Sequence, residues 1–191
     1  DVTGGSIKID GIDVRDFKIK SLRQKIGFIR QKTLLFTGSI KSNIKFGKQE
    51  ASHDEVVESA KTAQAYDFIS KKELKFDEPI GEGGSNVSGG QKQRLSIARA
   101  LVRKPEIYIF DDSFSALDFK TDAILRAELK KETADAIVLI VAQRIGSIME
   151  ADKIIVLDEG KVVGCGKHKE LLKSCSVYKE IALSQLTEEE L

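Results

Sequence analysis

Polar and apolar residues alternate at the start of the chain in a pattern that predicts short β-strands. Residues 6–10 alternate with a period of two, as in a half-buried strand, and the Asp10-Gly11 pair supplies a tight turn. Residues 26–29 form a second short apolar run, which ends before the polar residue Gln31. The chain is therefore expected to begin with a small β-part.

A helical pattern replaces this alternation from Ser52 onward. Apolar residues recur there at spacings of three and four, and Ser52 with Glu55 matches a capping box, which marks a helix start. A second helix is predicted over residues 88–103, because its apolar positions share one face and Pro105 blocks its continuation. We therefore predict a helical subdomain over residues 48–104. The remaining residues, 1–47 and 105–191, would form the core.

Continuous apolar runs separated by a helical pattern follow Pro105. The runs cover residues 107–110, 136–142 and 154–157. A helix is expected around residues 124–129, and the charged tail over residues 176–191 should also be helical. Apolar strands separated by helices are typical of a parallel sheet that is buried on both faces. The predicted fold class is therefore α/β.

Composition and charge exclude several classes of protein. Hydrophobic residues make up 41% of the 191 residues and charged residues 32%, as in ordinary globular proteins. The 31 basic and 30 acidic residues nearly cancel, so no nucleic-acid partner is expected. The longest apolar run is far shorter than the ~20 residues that a membrane span needs, and the N-terminus lacks the pattern of a secretory signal. The chain by itself is expected to be soluble.

The segment Ser88, Gly89, Gly90 and Gln91 opens the second predicted helix and can hold phosphate. Its glycines allow backbone amides to approach a ligand, at the positive end of the helix dipole. A helix cap with a glycine turn would explain these four residues more simply. The preceding Asn86 and the basic continuation through Lys92 and Arg94 favour phosphate binding.

A pair of carboxylates follows the apolar run over residues 107–110. Open α/β sheets place ligands at the carboxyl ends of their strands, where Asp111 and Asp112 would lie. Asp111 would hold Mg²⁺ through water, because this ion takes few carboxylates and keeps several waters. Asp112 lies where a base that orients an attacking water belongs. The alternative is that the two acids cap the following helix.

Further motifs lie in a fixed order along nearly the whole chain. In chain order the segments are Gln31, residues 35–40, residues 81–84 around Glu82, residues 86–91, residues 107–111, residues 115–118 ending in Asp118, and residues 140–144 around Gln143. They resemble, in the same order, the Q-loop, the exporter sequence that follows it, the X-loop, the signature motif, the Walker B strand, the D-loop and the H-loop. These are the motifs of the ATP-binding cassette (ABC) family, in particular of the nucleotide-binding domain of an exporter-type ABC transporter.

The resemblance implies a site for ATP and Mg²⁺ that forms between two such domains. The implied nucleotide-binding residues are Gln31, Ser88, Gly89, Gly90, Gln91, Asp111 and Asp118, the implied metal ligands are Gln31 and Asp111, and the implied catalytic positions are Asp112 and Gln143. The implied partners are a second ABC nucleotide-binding domain and transmembrane domains, which would be contacted through the Gln31 and Glu82 regions. The implied location is the cytoplasmic face of the cell membrane.

Two substitutions weaken the same implied ATP site. The family usually has Glu where this chain has the shorter Asp112, and a displacement of ~1 Å can lower a rate roughly 10²-fold. It has His where this chain has Gln143, which can hydrogen-bond a phosphate but carries no positive charge. Residues 88–91 are intact and would complete the partner's site. The chain therefore resembles the degenerate member of a heterodimeric exporter.

We find no phosphate-binding P-loop in the sequence. That motif needs Gly-x-x-x-x-Gly-Lys followed by Ser or Thr, and in the family it precedes the region that matches residues 1–5. The core is therefore expected to be incomplete, without the Walker A strand, loop and helix, and the chain is expected to begin just after them. We expect no stable ATP binding and no ATP hydrolysis from the chain alone.

Three other interpretations stay open. The parent domain could be a fully active homodimeric ATPase that tolerates Asp112 and Gln143. The chain could instead be an interaction module that donates its signature helix without holding nucleotide itself. Chromosome-maintenance ATPases of the same superfamily are a third alternative, but they would need long coiled-coil heptads between the motifs, and the sequence has none.

Overall fold

The computed structural model describes residues 3–187, which form helices and strands in two compact units, the first ending at Leu139 and the second beginning at Ile140. The strands are β1 (Lys8–Ile9), β2 (Ile12–Asp13), β3 (Ile26–Ile29), β4 (Gly38–Ser39), β5 (Pro79–Ile80), β6 (Ile107–Asp111), β7 (Ile137–Val141), β8 (Ile154–Asp158) and β9 (Lys161–Gly166). The helices are α1 (Ile19–Lys25), α2 (Ile40–Lys45), α3 (His53–Thr62), α4 (Tyr66–Ser70), α5 (Gly89–Leu101), α6 (Phe119–Glu132), α7 (His168–Ser174) and α8 (Ser176–Leu183). Within the described residues, every helix is too short or too polar to span a membrane.

The main sheet has the strand order β3-β6-β7, and β3 and β6 run parallel. Ile26 lies opposite Ile107 and Ile29 lies opposite Phe110, so the two strands end at the same edge. The predicted α/β class with a parallel sheet is confirmed. The β-part at the start of the chain is the antiparallel hairpin β1–β2.

The second half of the chain departs from the predicted parallel sheet in two respects. Ile137, Leu139 and Val141 on β7 remain 51–60% exposed, so the predicted burial of both faces is wrong for this strand. β8 pairs with β9 in an antiparallel hairpin, and the sequence pattern did not predict β9. An apolar run indicates that a strand forms. Which strands pair with it, and which residues bury its faces, depend on other parts of the chain.

α5 is the central helix of the first unit. It packs against α2, α3 and β3, and its residues Leu95, Ala98 and Leu101 are buried on the predicted face. The predicted capping box at the start of α3 is also present. The Glu55 amide donates to Ser52 Oγ, and the Ser52 amide donates to Glu55 Oε2.

Arg99 joins α5 to the segment that follows β3. Its guanidinium donates to the carbonyl oxygens of Asn43 and Leu34, both at 2.9 Å, and to Asn43 Oδ1 at 2.8 Å. Phe36 and Phe46 lie against the same guanidinium, with its central carbon 5.2 and 5.8 Å from their ring centres. Burial lowers the pKa of Arg99 to about 10, so the side chain stays charged at neutral pH.

The second unit packs α7 and α8 against one face of the β8–β9 hairpin. Its core includes the buried residues Ile154, Leu171 and Tyr178. His168 Nδ1 lies 2.8 Å from Tyr178 Oη, which links α7 with α8. Of the helical tail predicted over residues 176–191, only Ser176–Leu183 is helical, as α8, because residues 184–186 form a turn and a bend; residues 188–191 lie outside the described part of the chain.

Gly47 is expected to be intolerant of any side chain. A Cβ at this position would lie 1.9 Å from the carbonyl oxygen of Arg99, whereas at Gly146 it would meet no atom within 4 Å. Gly47→Ala should therefore lower the free energy of unfolding by about 2–4 kcal/mol, since backbone rather than a flexible side chain must move. Gly146→Ala is the matched control and should stay within about 1 kcal/mol of the wild type. Denaturant unfolding measures both changes, and equal stability of the two variants would contradict the expectation.

Candidate functional site

The carboxyl ends of β3 and β6 bring Gln31 and Asp112 into contact. Gln31 Nε2 donates a hydrogen bond of 2.8 Å to Asp112 Oδ2. Each of the two residues lies two positions beyond a member of the register pair Ile29 and Phe110. The parallel register therefore places a predicted metal ligand beside a predicted catalytic residue.

A tight turn holds Asp112 at this edge of the sheet. The φ angle of Asp112 is 44°, in the left-handed region, which Asp and Asn tolerate better than most residues. Ser113 is buried, and its hydroxyl donates to the carbonyl oxygens of Ile29 at 2.9 Å and Asp111 at 3.2 Å. These bonds attach the turn after β6 to the end of β3, so the backbone limits where the Asp112 carboxylate can lie.

Asp111 and Gln31 offer oxygen atoms that fit Mg²⁺. Neither the Asp111 carboxylate nor Gln31 Oε1 has a hydrogen-bond partner among residues 3–187. Mg²⁺ is usually bound by one or two protein carboxylates together with substrate phosphates and water. The described part of the chain contains no cluster of three or more His, Cys, Asp or Glu side chains that could hold a metal alone. The donor set therefore fits a Mg²⁺ ion that is shared with a phosphate ligand.

Ser88 is the N-cap of α5 and forms a capping box with Gln91. The Gln91 amide donates to Ser88 Oγ at 3.2 Å, and the Ser88 amide donates to Gln91 Oε1 at 3.1 Å. The first amides of the helix have no acceptor within it and lie at the positive end of its dipole. A Cβ on Gly89 would meet no atom within 4 Å, so the approach to this turn is open. The segment is a helix cap, and its geometry leaves room for a phosphate.

The segment over residues 115–118 lies against the start of α5. A Cβ on Gly90 would lie 3.2 Å from the carbonyl oxygen of Ala116. Asp118 is the N-cap of α6, and its carboxylate accepts hydrogen bonds from the Thr121 amide at 2.9 Å and from Thr121 Oγ1 at 2.7 Å. These bonds, with a smaller contribution from the charge of Arg94, lower the pKa of Asp118. The Asp118 carboxylate is therefore ionised at neutral pH and already bonded.

Gln143 lies in the second unit, in the segment that follows β7. Gln185 holds this segment, because its Nε2 donates to the Gln143 carbonyl oxygen at 2.8 Å and its Oε1 accepts from the Ile145 amide at 2.9 Å. The side chain of Gln143 has no hydrogen-bond partner within residues 3–187. Its amide group is therefore available to a ligand.

Asn86 is a positioning residue that the sequence did not single out. Its Oδ1 accepts from the Gly81 amide at 3.0 Å, and its Nδ2 donates to the Pro79 carbonyl oxygen at 2.8 Å. The two bonds tie the turn that carries Glu82 to the segment that leads into Ser88. Both partners lie only five and seven positions earlier in the chain, but the geometry of the turn that brings them to Asn86 does not follow from the motif.

Gln93 is a second positioning residue, and it joins α5 to the segment on both sides of Gln31. It is buried, its Nε2 donates to the Arg30 carbonyl oxygen at 3.5 Å, and its Oε1 accepts from Thr33 Oγ1. A polar residue that lies on the apolar face of a predicted helix is a sequence signal that could have identified it.

A cleft of about 320 Å³ lies beside the same segment. Four apolar residues of its lining are 40–63% exposed, namely Phe28, Leu34, Phe36 and Phe46. The charged residues of its lining are all basic, namely Arg30, Lys32, Arg99 and Arg103. Gln31 lies between two of these lining residues, while its own side chain bonds Asp112. One short segment therefore borders both the cleft and the carboxylate edge of the sheet.

Comparison with known proteins agrees with the motifs. Residues 1–115 match the ABC transporter family. The chain is 44% identical over 188 residues to an uncharacterized ABC transporter ATP-binding protein of Mycobacterium tuberculosis, covering 97% of this chain and 32% of that protein. It is also 44% identical over 181 residues to a putative multidrug export ATP-binding/permease protein of Staphylococcus aureus, covering 95% of this chain and 31% of that protein.

A solved structure shares the fold. It is a bacterial Atm1-family ABC exporter with ATP bound, and it matches 98% of this chain and 33% of that chain with a TM-score of 0.95 and 37% identity. The chain thus spans about a third of the length of the relatives that it matches.

Thr121→Val should raise the pKa of Asp118 toward its usual value, because one hydrogen bond to the ionised carboxylate is lost. The pKa of Asp118 is lower in the folded chain than in the unfolded chain. The ionised carboxylate therefore makes its full contribution to stability above the pKa of the unfolded chain, and this contribution is lost as the pH falls through the pKa of the folded chain. An NMR titration of the carboxyl groups measures the shift, with Thr37→Val as the control. An unchanged pKa of Asp118 in Thr121→Val would contradict this account of the cap.

Proposed function

The chain is an exporter-type nucleotide-binding domain of the ABC transporter family, and we propose that its own ATP site is degenerate while its signature segment serves ATP held by a second such domain. In this proposal the whole protein couples ATP binding and hydrolysis to export across a membrane. The domain lies at the cytoplasmic face, where it contacts transmembrane domains.

The observation that carries the proposal is the contrast between the two halves of the site. Residues 88–91 keep the family's signature, and their capping box presents the start of a helix of 13 residues with open space at Gly89. In contrast, the catalytic position holds Asp112, whose carboxylate is bonded to Gln31, and the H-loop position holds Gln143. The intact half would complete the partner's site, and the altered half would belong to this domain's own.

Phosphate and Mg²⁺ would be held by groups that the first unit leaves available. At the partner's site, the amides at the start of α5 and the hydroxyl of Ser88 would bind phosphate oxygens, because they combine donors with the positive end of a helix dipole. At this domain's own site, Asp111 and Gln31 would provide oxygen atoms to the metal. Asp118 would act near the nucleotide through the conformation of its loop, since its carboxylate is already bonded to Thr121.

Weak catalysis at this domain's own site follows from the side chains. An aspartate carries its carboxylate one C–C bond, about 1.5 Å, closer to the backbone than a glutamate does. An error of this size in the position of a base lowers a rate roughly 10²-fold. Gln143 adds no positive charge to stabilise a developing negative charge on phosphate. If the full-length protein hydrolysed ATP at a normal rate without a different partner subunit, the alternative of a homodimeric ATPase would be favoured instead.

The proposed domain division follows the element content of the first unit. Residues 48–104 contain α3, α4 and α5 and only the short strand β5, which supports a helical subdomain. Residues 1–47 and 105–191 would form the ATPase core.

The cleft beside Gln31 is the proposed contact for a transmembrane domain. Exposed aromatic rings and a lining whose charged residues are all basic would suit a short segment with apolar and acidic side chains. The Glu82 region would provide a second contact, because Asn86 ties it to the signature segment.

Ser88→Ala tests the role of the signature segment, with Ser52→Ala as the matched control. Each variant loses the side chain of one capping box, so each should lower the free energy of unfolding by about 1 kcal/mol. Only Ser88→Ala should lower the ATP turnover of the full-length protein assembled with its partner domain, by roughly tenfold or more, because only this hydroxyl would meet phosphate. Equal turnover in the two variants would reject the proposed role.

Arg30→Glu tests the cleft. A reversed charge at the rim should weaken docking of an acidic segment and speed hydrogen exchange of backbone amides 28–36 in the full-length protein about fivefold. Lys71→Glu makes the same charge change away from the cleft and should leave these amides as they are in the wild type. Exchange that is equally fast in the wild type and in Arg30→Glu would show that no partner covers the cleft.

A further inference from the structure

The strand register and the turn after β6 hold Asp112 in contact with Gln31. Each of the two residues lies two positions beyond a member of the register pair Ile29 and Phe110, and the hydrogen bond between them is 2.8 Å long. The backbone of Asp112 is set by its positive φ and by the hydrogen bonds of Ser113.

The segment around Gln31 is held from two sides. Gln93 on α5 bonds the Arg30 carbonyl oxygen and Thr33 Oγ1, while Asp112 bonds the Gln31 side chain. Because Nε2 donates to Asp112, Gln31 Oε1 faces away from that carboxylate and stays free of partners among the described residues. The Asp112 bond thus determines which end of the Gln31 amide is open to a ligand.

We propose that Asp112 is a positioning residue in this chain, whose carboxylate anchors Gln31 so that Oε1 is presented to the metal that accompanies the nucleotide. Residues 30, 32 and 33 line the cleft, so the anchored segment also connects the cleft to the nucleotide edge of the sheet. The inference rests on the proposed function for the identity of the ligand. The anchor itself rests only on the contacts described.

Substitutions of Asp112 distinguish a residue that positions Gln31 from a residue that acts as a base. Asp112→Asn keeps an acceptor for Gln31 Nε2 and suits the positive φ, whereas Asp112→Gly removes the acceptor and also tolerates this φ. Backbone amides 30–33 of the full-length protein should exchange about fivefold to tenfold faster in Asp112→Gly, and within about twofold of the wild type in Asp112→Asn. Equal exchange in Asp112→Gly and the wild type would overturn the anchor.

Exchanging the donor and the acceptor of the Gln31–Asp112 hydrogen bond tests whether the bond itself protects these amides. Gln31→Glu places two carboxylates together and should speed exchange of the same amides about fivefold or more. The double variant Gln31→Glu with Asp112→Asn exchanges donor and acceptor, so it should bring exchange back to within about twofold of the wild type. Failure of the double variant to recover would show that a general structural role, not this bond, explains the effect.

The Mg²⁺ dependence of nucleotide binding measures whether Asp112 positions Gln31 for the metal. The Mg²⁺ concentration for half-maximal binding of trinitrophenyl-ATP to the full-length protein should rise about threefold or more in Asp112→Gly, and by a smaller factor in Asp112→Asn. An equal rise in both variants, or none, would overturn the positioning role. If the wild type binds no nucleotide, the proposed function fails, and the exchange experiments still decide whether the anchor exists.

Discussion

The parallel pairing of β3 with β6 sets the geometry on which the candidate site depends. Because Ile29 lies opposite Phe110, the residues two positions further along, Gln31 and Asp112, meet at one edge of the sheet. A slip of one residue would turn the side chains of one strand to the other face and separate the amide from the carboxylate. The hydrogen bonds of the backbone thus select which side chains share the ligand edge.

α5 is connected to the same edge through polar side chains. Arg99 and Gln93 bond the segment that follows β3, and Ser88 caps the end of the helix that would face phosphate. Hydrogen bonds to backbone are directional, so they limit movement between the helix and this segment more sharply than apolar contact does. A segment seated in the cleft would therefore act on the Gln31 side chain and on α5 together.

Local pattern was sufficient where a single segment decides its own structure. The strand over residues 26–29 and the capping box at Ser52 were predicted from neighbouring residues, and both are present. The predicted burial of β7 was wrong, and β9 was missed, because strand pairing and cover involve residues far apart in the sequence. Asn86 was missed as a positioning residue although its partners Gly81 and Pro79 are close in the sequence, and Gln93 was missed although it lies on the apolar face of α5.

The sequence by itself determined the family, the α/β class and the chemistry available at each motif, because these depend on residue type and spacing. The tertiary structure alone decided that Gln31 bonds Asp112 and that basic and aromatic side chains line one cleft. Such contacts join residues far apart in the sequence, as Gln31 and Asp112 are, 81 positions apart. Their geometry is set by sheet register and helix packing, which no local pattern specifies.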